Sequence, residues 1–117
     1  MTGDRFRVRL TAEAKDMLRR IGKTYGKNTY EVIRDKILDL ESDPSKKGEP
    51  LGGPLQGLYS LHYSRFRIIY RIHQDEAEVI VVGAGYHASR SRDDIYQVIR
   101  RLVESGQLAI RDRDKKK

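Results

Sequence analysis

The chain contains no cysteine, which excludes disulfides, thiolate nucleophiles and cysteine-based zinc sites together. Proline is scarce, with 3 residues in 117, and all of them fall between Pro44 and Pro54. Long apolar runs are lacking as well. The longest, residues 79–84, is far short of the roughly 18 residues a membrane-crossing helix needs. The opening Met-Thr-Gly-Asp-Arg has no basic segment followed by an apolar one, so no secretory signal is read and a cytoplasmic location without membrane contact is expected. Residues 48–57 lack the Gly-Lys-Ser/Thr ending of a phosphate loop, and Gly83-Ala84-Gly85 lacks the third glycine of a dinucleotide fingerprint. With 3 histidines and no cysteine, neither a cofactor nor a metal site is expected. Catalysis, if any, must rest on His, Tyr, Arg, Lys or carboxylates.

What the chain has in excess is positive charge: 24 Lys and Arg against 17 Asp and Glu, a net charge of +7. Its pI is near 9.8 and its mean hydropathy −0.71. The basic residues divide evenly about Leu58, so the folded surface carries the excess, and a polyanionic or acidic partner is implied. The length suits one compact domain. We read residues 1–117 as a single domain, with 106–117 as a flexible basic tail.

Residues 5–10 alternate Arg5, Arg7, Arg9 with Phe6, Val8, Leu10, the pattern of a half-buried strand. Thr11 is placed to cap a helix in which Ala14, Met17, Leu18 and Ile21 share a face, with a stop expected at Gly22. Asn28 or Thr29 is the expected cap of a second helix, with Tyr30, Ile33, Ile37 and Leu40 as its stripe. The proline- and glycine-containing stretch that follows reads as a loop.

Residues 57–84 read as three strands joined by short turns. Centring the first turn on Ser64-Arg65 sets Tyr63 against Phe66, His62 against Arg67, Leu61 against Ile68 and Tyr59 against Tyr70. A slip of one residue would bring Leu61 to Arg67 and destroy the apolar face. The opposite face then holds Ser60, His62, Arg67, Ile69 and Arg71, an expected cationic groove. With a second turn around residues 74–76, Val79 and Val81 share a face with Tyr70 and Ile72, and Gly83-Ala84-Gly85 ends beside Arg67. Asp93 is the expected cap of a last helix carrying Ile95, Val98, Ile99 and Leu102.

The ordered set formed by the basic strand, two helices, Asp43-Pro44, Pro50-Leu51, Leu55-Gln-Gly-Leu-Tyr59, Phe66-Arg-Ile-Ile-Tyr70-Arg71-Ile72, the apolar strand and Asp94-Ile95-Tyr96 resembles the RelE/ParE superfamily of type II toxin-antitoxin toxins. It is more RelE-like than ParE-like and spans about Arg5 to Leu102. The resemblance implies an α+β fold: a small antiparallel sheet with two N-terminal helices packed on one face, in the order β-α-α-β-β-β-α.

For function, the resemblance implies a ribosome-dependent mRNA endoribonuclease that inhibits translation without a metal. Such chemistry needs a base on the 2′-hydroxyl, cations for the developing phosphorane charge and an acid for the leaving 5′-oxygen. Carried over by position, Arg67 is the phosphate-binding arginine, with a fork suited to that charge. His62 and Ser60 stand where RelE-like members often carry basic residues, and His87 where many carry an arginine. Tyr96 matches the tyrosine near the C-terminal helix, where it would stack on a base or orient substrate. Arg67, His62, His87 and Tyr96 are therefore the expected catalytic set, with Ser60, Arg71, Tyr86, Arg90 and Arg92 as expected RNA contacts. The implied partners are messenger RNA, the ribosome and an acidic cognate antitoxin. The alternatives are a ParE-like protein that binds and poisons DNA gyrase, or a generic basic RNA-binding domain.

Overall fold

The computed structural model describes residues 5–110. Strand β1 (Arg7–Leu10) leads through Thr11 into helix α1 (Ala12–Tyr25), and the Thr11 Oγ1 accepts the Ala14 N–H at 3.0 Å as expected of the cap. Helix α1 does not stop at Gly22. It runs on to Gly26, whose φ of 100° ends the helix in a conformation that glycine adopts without a steric penalty. Helix α2 (Lys27–Leu38) starts directly after Gly26 with no side-chain cap, so neither Asn28 nor Thr29 has the expected role.

The expected loop contains short regular pieces because each proline sits where its ring is tolerated. Pro44 opens helix α3 (Pro44–Lys47), Pro50 lies in the two-residue edge strand β2 (Glu49–Pro50), and Pro54 enters a 3-10 turn, Gly53–Leu55. Strands β3 (Tyr59–Tyr63) and β4 (Phe66–His73) pair in the expected register, from Tyr63↔Phe66 to Tyr59↔Tyr70. Strand β5 (Glu78–Tyr86) returns alongside β4, with Tyr70↔Val81 and Ile72↔Val79. The sheet order is β1-β5-β4-β3-β2. It is antiparallel except at one edge, where β1 runs parallel to β5 with Val8 opposite Val79. The antiparallel sheet expected from the sequence is thus present, extended by the parallel strand β1 at one edge and the short strand β2 at the other.

Two cores form, one on each face. On the first, Ala14, Leu18 and Ile21 of α1 and Ile33 and Ile37 of α2 cover Phe66, Ile68, Tyr70, Val79 and Val81. On the second, helix α4 (Ile95–Glu104) brings Ile95 and Ile99 onto Ile69, Ile80 and Val82, with Leu55 and Leu58 beside them. The close approach of α4 depends on glycine: a Cβ on Gly83 would lie 2.5 Å from the Ile99 Cδ1, and one on Gly85 3.1 Å from the Ile95 Cδ1. The Tyr70 hydroxyl, buried in the first core, donates to the Pro44 carbonyl at 2.7 Å, and burial pushes its pKa up to about 12. Beyond α4 the chain folds back. Leu108 and Ile110 pack against the second core, so residues 106–110 are not a free tail; the remainder of that expected tail lies outside the described residues.

Candidate functional site

The turn between β3 and β4 and the segment after β5 meet at one end of the sheet. The meeting is fixed by the β4–β5 register, which sets Arg67 opposite Gly85, and by the His87 N–H donating to the Arg65 carbonyl at 2.6 Å. Between them lies a cleft of about 510 Å³ lined by Ser64, Arg65, Arg67, His87, Ala88 and Ser89. Arg67 Nη1 donates to the carbonyls of Ser64 at 3.1 Å and Phe66 at 3.0 Å, which anchors the guanidinium at the turn. Among the described residues no carboxylate pairs with Arg65 or Arg67. The cleft is cationic, and an anion is the complementary occupant.

His62 lies on β3 directly opposite Arg67, with its side chain 44% exposed and its Nε2 4.0 Å from a Glu49 carboxylate oxygen. His87 follows β5 on the far side. Arg67 therefore lies on the strand between those that carry the two histidines, directly opposite His62, roughly 5 Å away across the strands, and two residues along from the level of His87.

His87 is held by a buried carboxylate outside the expected set of site residues. Asp94, 4% exposed, accepts from the His87 Nδ1 at 2.5 Å, from the Ala88 N–H at 2.9 Å and from the Tyr96 N–H at 3.1 Å. The last bond makes Asp94, not Asp93, the cap of α4. The Asp94-Ile95-Tyr96 triplet was the available signal, since either aspartate could cap a helix beginning there. The Tyr96 ring stands edge-on to the His87 ring at 5.1 Å, and its hydroxyl meets the Ser60 hydroxyl at 2.8 Å.

The other expected RNA contacts separate. Ser60 is 1% exposed and its hydroxyl is engaged by Tyr96. Arg71 is 9% exposed, with its Nη1 donating to the Ile110 carbonyl at 3.4 Å beneath the returning chain. The open cationic groove expected along this face is not formed, because α4 and the residues after it cover its middle. Only the Arg67 end stays open. Tyr86 projects to the other face, where it stacks on Tyr25 at 5.7 Å. Arg90 and Arg92 are exposed in the loop that leads to α4.

A second histidine–carboxylate grouping lies at the opposite end of β5. His73, Glu76 and Glu78 bring three potential ligand atoms within 4.8 Å of one another. Glu78, 3% exposed, receives Arg9 Nη1 at 3.0 Å and lies 3.8 Å from Arg7 Nη2. Burial alone would raise its pKa, but the hydrogen bond and charge of Arg9, with Arg7 and His73 adding, lower it. The ion pairs already answer this carboxylate's charge, and the residues fit a structural cluster better than a metal centre.

The five-strand α+β domain, with helices α1 and α2 on one face of the sheet and α4 on the other, has counterparts among solved structures. Among solved structures, the chain is similar to the toxin-antitoxin complex RelBE2 from Mycobacterium tuberculosis, with a TM-score of 0.66 and 22% identity, over 75% of this chain and 98% of that one. It is similar to the YoeB/ParE toxin from Agrobacterium tumefaciens, with a TM-score of 0.61 and 23% identity, over 71% of this chain and 100% of that one. It is also similar to a variant of the Escherichia coli toxin RelE in the free state, with a TM-score of 0.62 and 15% identity, over 84% of this chain and 98% of that one. These identities establish the fold. A search of curated protein sequences gave no match. The family model described as the ParE toxin of the type II toxin-antitoxin system parDE matches residues 8–91. The chain belongs to that family and is a type II toxin of the RelE/ParE superfamily.

Proposed function

We propose that the protein is an mRNA endoribonuclease acting on the translating ribosome, with base, acid and charge-stabilising group all supplied by side chains. The observation that carries this reading is Arg67, without a carboxylate partner among the described residues, in a cationic cleft that His87 also lines, with His62 directly opposite it on β3. Attack on phosphorus proceeds with the entering and leaving oxygens on opposite sides, so a base and an acid are needed on opposite sides of the phosphate. His62 takes the 2′-hydroxyl proton as the 2′-oxygen bonds to phosphorus. His87 gives its proton to the 5′-oxygen as the phosphorus–oxygen bond breaks, and a 2′,3′-cyclic phosphate remains. Arg67 binds the non-bridging oxygens, with the charge of Arg65 beside it. Tyr96 orients the His87 ring through their edge contact, and Arg90 and Arg92 attract the RNA backbone at longer range.

The deciding experiment adds the purified protein to a translation extract and maps message ends by primer extension. Wild type should cut, and Arg67→Ala should lose at least about 100-fold in rate with an unchanged circular dichroism spectrum, because among the described residues Arg67 bonds to local carbonyls alone. Equal cutting by the variant would refute the reading. The family match favours one other reading, a gyrase poison acting by binding. In that case the message stays intact while supercoiling by purified gyrase stalls.

The cognate antitoxin belongs to the same reading. A groove of about 570 Å³ between α1 and α2 has Leu18, Tyr30 and Ile37 among its apolar lining and Lys15, Lys23 and Lys27 among its basic groups. An acidic amphipathic segment matches both characters.

A further inference from the structure

Asp94 does more in this geometry than end a helix. Its Oδ2 accepts the Tyr96 N–H, which is the capping bond, and its Oδ1 accepts both the Ala88 N–H and the His87 Nδ1. A carboxylate only accepts, so the hydrogen in the 2.5 Å contact belongs to the imidazole. The ring is therefore held with Nδ1 protonated, and Nε2 is the nitrogen left to meet a substrate in the cleft that His87 lines. Asp94 is itself nearly sealed from water, and its two backbone bonds fix it to the loop and to α4. The ring cannot rotate away without breaking its bond to that fixed carboxylate.

We infer that Asp94 is the positioning residue of the cleft: it selects the Nδ1–H tautomer of His87 and directs Nε2 at the leaving oxygen. The inference rests on the nuclease reading for its consequence but not for its geometry. In the protonated ring, Nδ1–H stays with Asp94, and the proton that leaves for the 5′-oxygen departs from Nε2. The neutral ring that remains is the tautomer Asp94 already accepts. Asp94 touches no substrate, and its effect passes through His87 alone.

The test is Asp94→Asn. Asparagine is as good a helix cap as aspartate, and its carbonyl can keep a backbone bond, but its amide turned to His87 donates. The donor meets the Nδ1 lone pair, forces the neutral ring into the Nε2–H form and opposes the charged ring. Nitrogen-15 spectra of the full-length protein should show the His87 Nδ1–H tautomer in wild type and Nε2–H in the variant. Message cleavage should fall about 100- to 10,000-fold. Asp94→Ser, which keeps a capping oxygen but cannot reach the ring, should fall comparably while melting close to wild type. Introducing Asp94→Asn into a His87→Gln protein should change the rate less than about threefold, since the path through His87 is already gone.

A flipped tautomer with undiminished cleavage would overturn the inference, as would wild-type His87 in the Nε2–H form or additive losses in the double variant. Wild type that shows Nδ1–H yet cuts no message refutes the nuclease reading and the catalytic consequence, while the tautomer assignment stands.

Discussion

The two ends of strand β5 hold the same kinds of residue arranged to opposite effect. At its start, the buried Glu78 sits among Arg9, Arg7 and His73; at its finish, the buried Asp94 holds His87 beside Arg67 and Arg65. At the first end the arginines are turned onto the carboxylate, and the cluster is electrostatically closed. At the second, the carboxylate is turned away into backbone N–H groups and one imidazole, while Arg65 and Arg67 line the cleft with no acidic partner among the described residues. Histidine, carboxylate and arginine in proximity therefore do not define a site. What defines it is whether any positive charge is left over for a ligand, which follows from where each side chain is aimed.

The sharpest test of this contrast is a matched pair of histidine variants. His87→Gln should lower message cleavage by about 100-fold or more, whereas His73→Gln should leave the rate within about threefold, its cost appearing in melting temperature instead. Comparable losses of rate in both would dissolve the distinction between the two ends.

Glu78→Gln probes the closed end from the stability side. The exposed arms of Arg7 and Arg9 discount the pairing, so a loss of about 1–2 kcal/mol is expected by denaturant titration. The pH dependence has a definite sign. Because the folded Glu78 pKa lies below the ordinary carboxylate value of 4.5, its stabilisation is complete above that value and is lost as pH falls through the folded one. The Gln variant should lack that part of the acid-side decline.

Tyr70 gives the alkaline counterpart. Its pKa is raised from 10.0 to about 12, so the folded protein keeps a proton that the unfolded chain releases, and stability falls between those values by up to about 1.4 kcal/mol per pH unit. Tyr70→Phe should flatten that decline while costing about 1 kcal/mol at neutral pH through the bond lost to Pro44. The smallest effect is expected at Asp16, whose pairs with Arg19 and Arg20 are solvent-exposed. Asp16→Asn should change stability by less than about 0.5 kcal/mol, which sets the background against which the buried Glu78 cluster is judged.

Much of this molecule was legible along the chain. The β3–β4 register was, because apolar residues recur every second position on both sides of Ser64-Arg65 and only one alignment matches them. The stripes of α1, α2 and α4 were, since a period of 3.6 marks a face. The place of Arg67 opposite His62 followed from the same register, whereas the approach of His87 depends on a shift of one in the β4–β5 pairing between Ile69 and Tyr70, which alternation alone does not show.

What could not be read from the chain concerns what lies over each face. Periodicity shows that Ser60 and Arg71 share a side with Arg67, but not that α4 and the chain after it cover them; the closely packed Gly83 and Gly85, with Ile99 and Ile95 above them, decide that. Nor could spacing choose between Asp93 and Asp94, since either can cap a helix, and only the folded position of His87 gives one of them a partner. Residue order determined the elements, their faces, the central register and the excess positive charge, because these depend on local geometry and composition. Tertiary structure decided which charges are neutralised and which remain open, because that depends on contacts between residues distant in sequence: Arg9 with Glu78, Tyr96 with Ser60, and the end of β5 with the turn at Arg65.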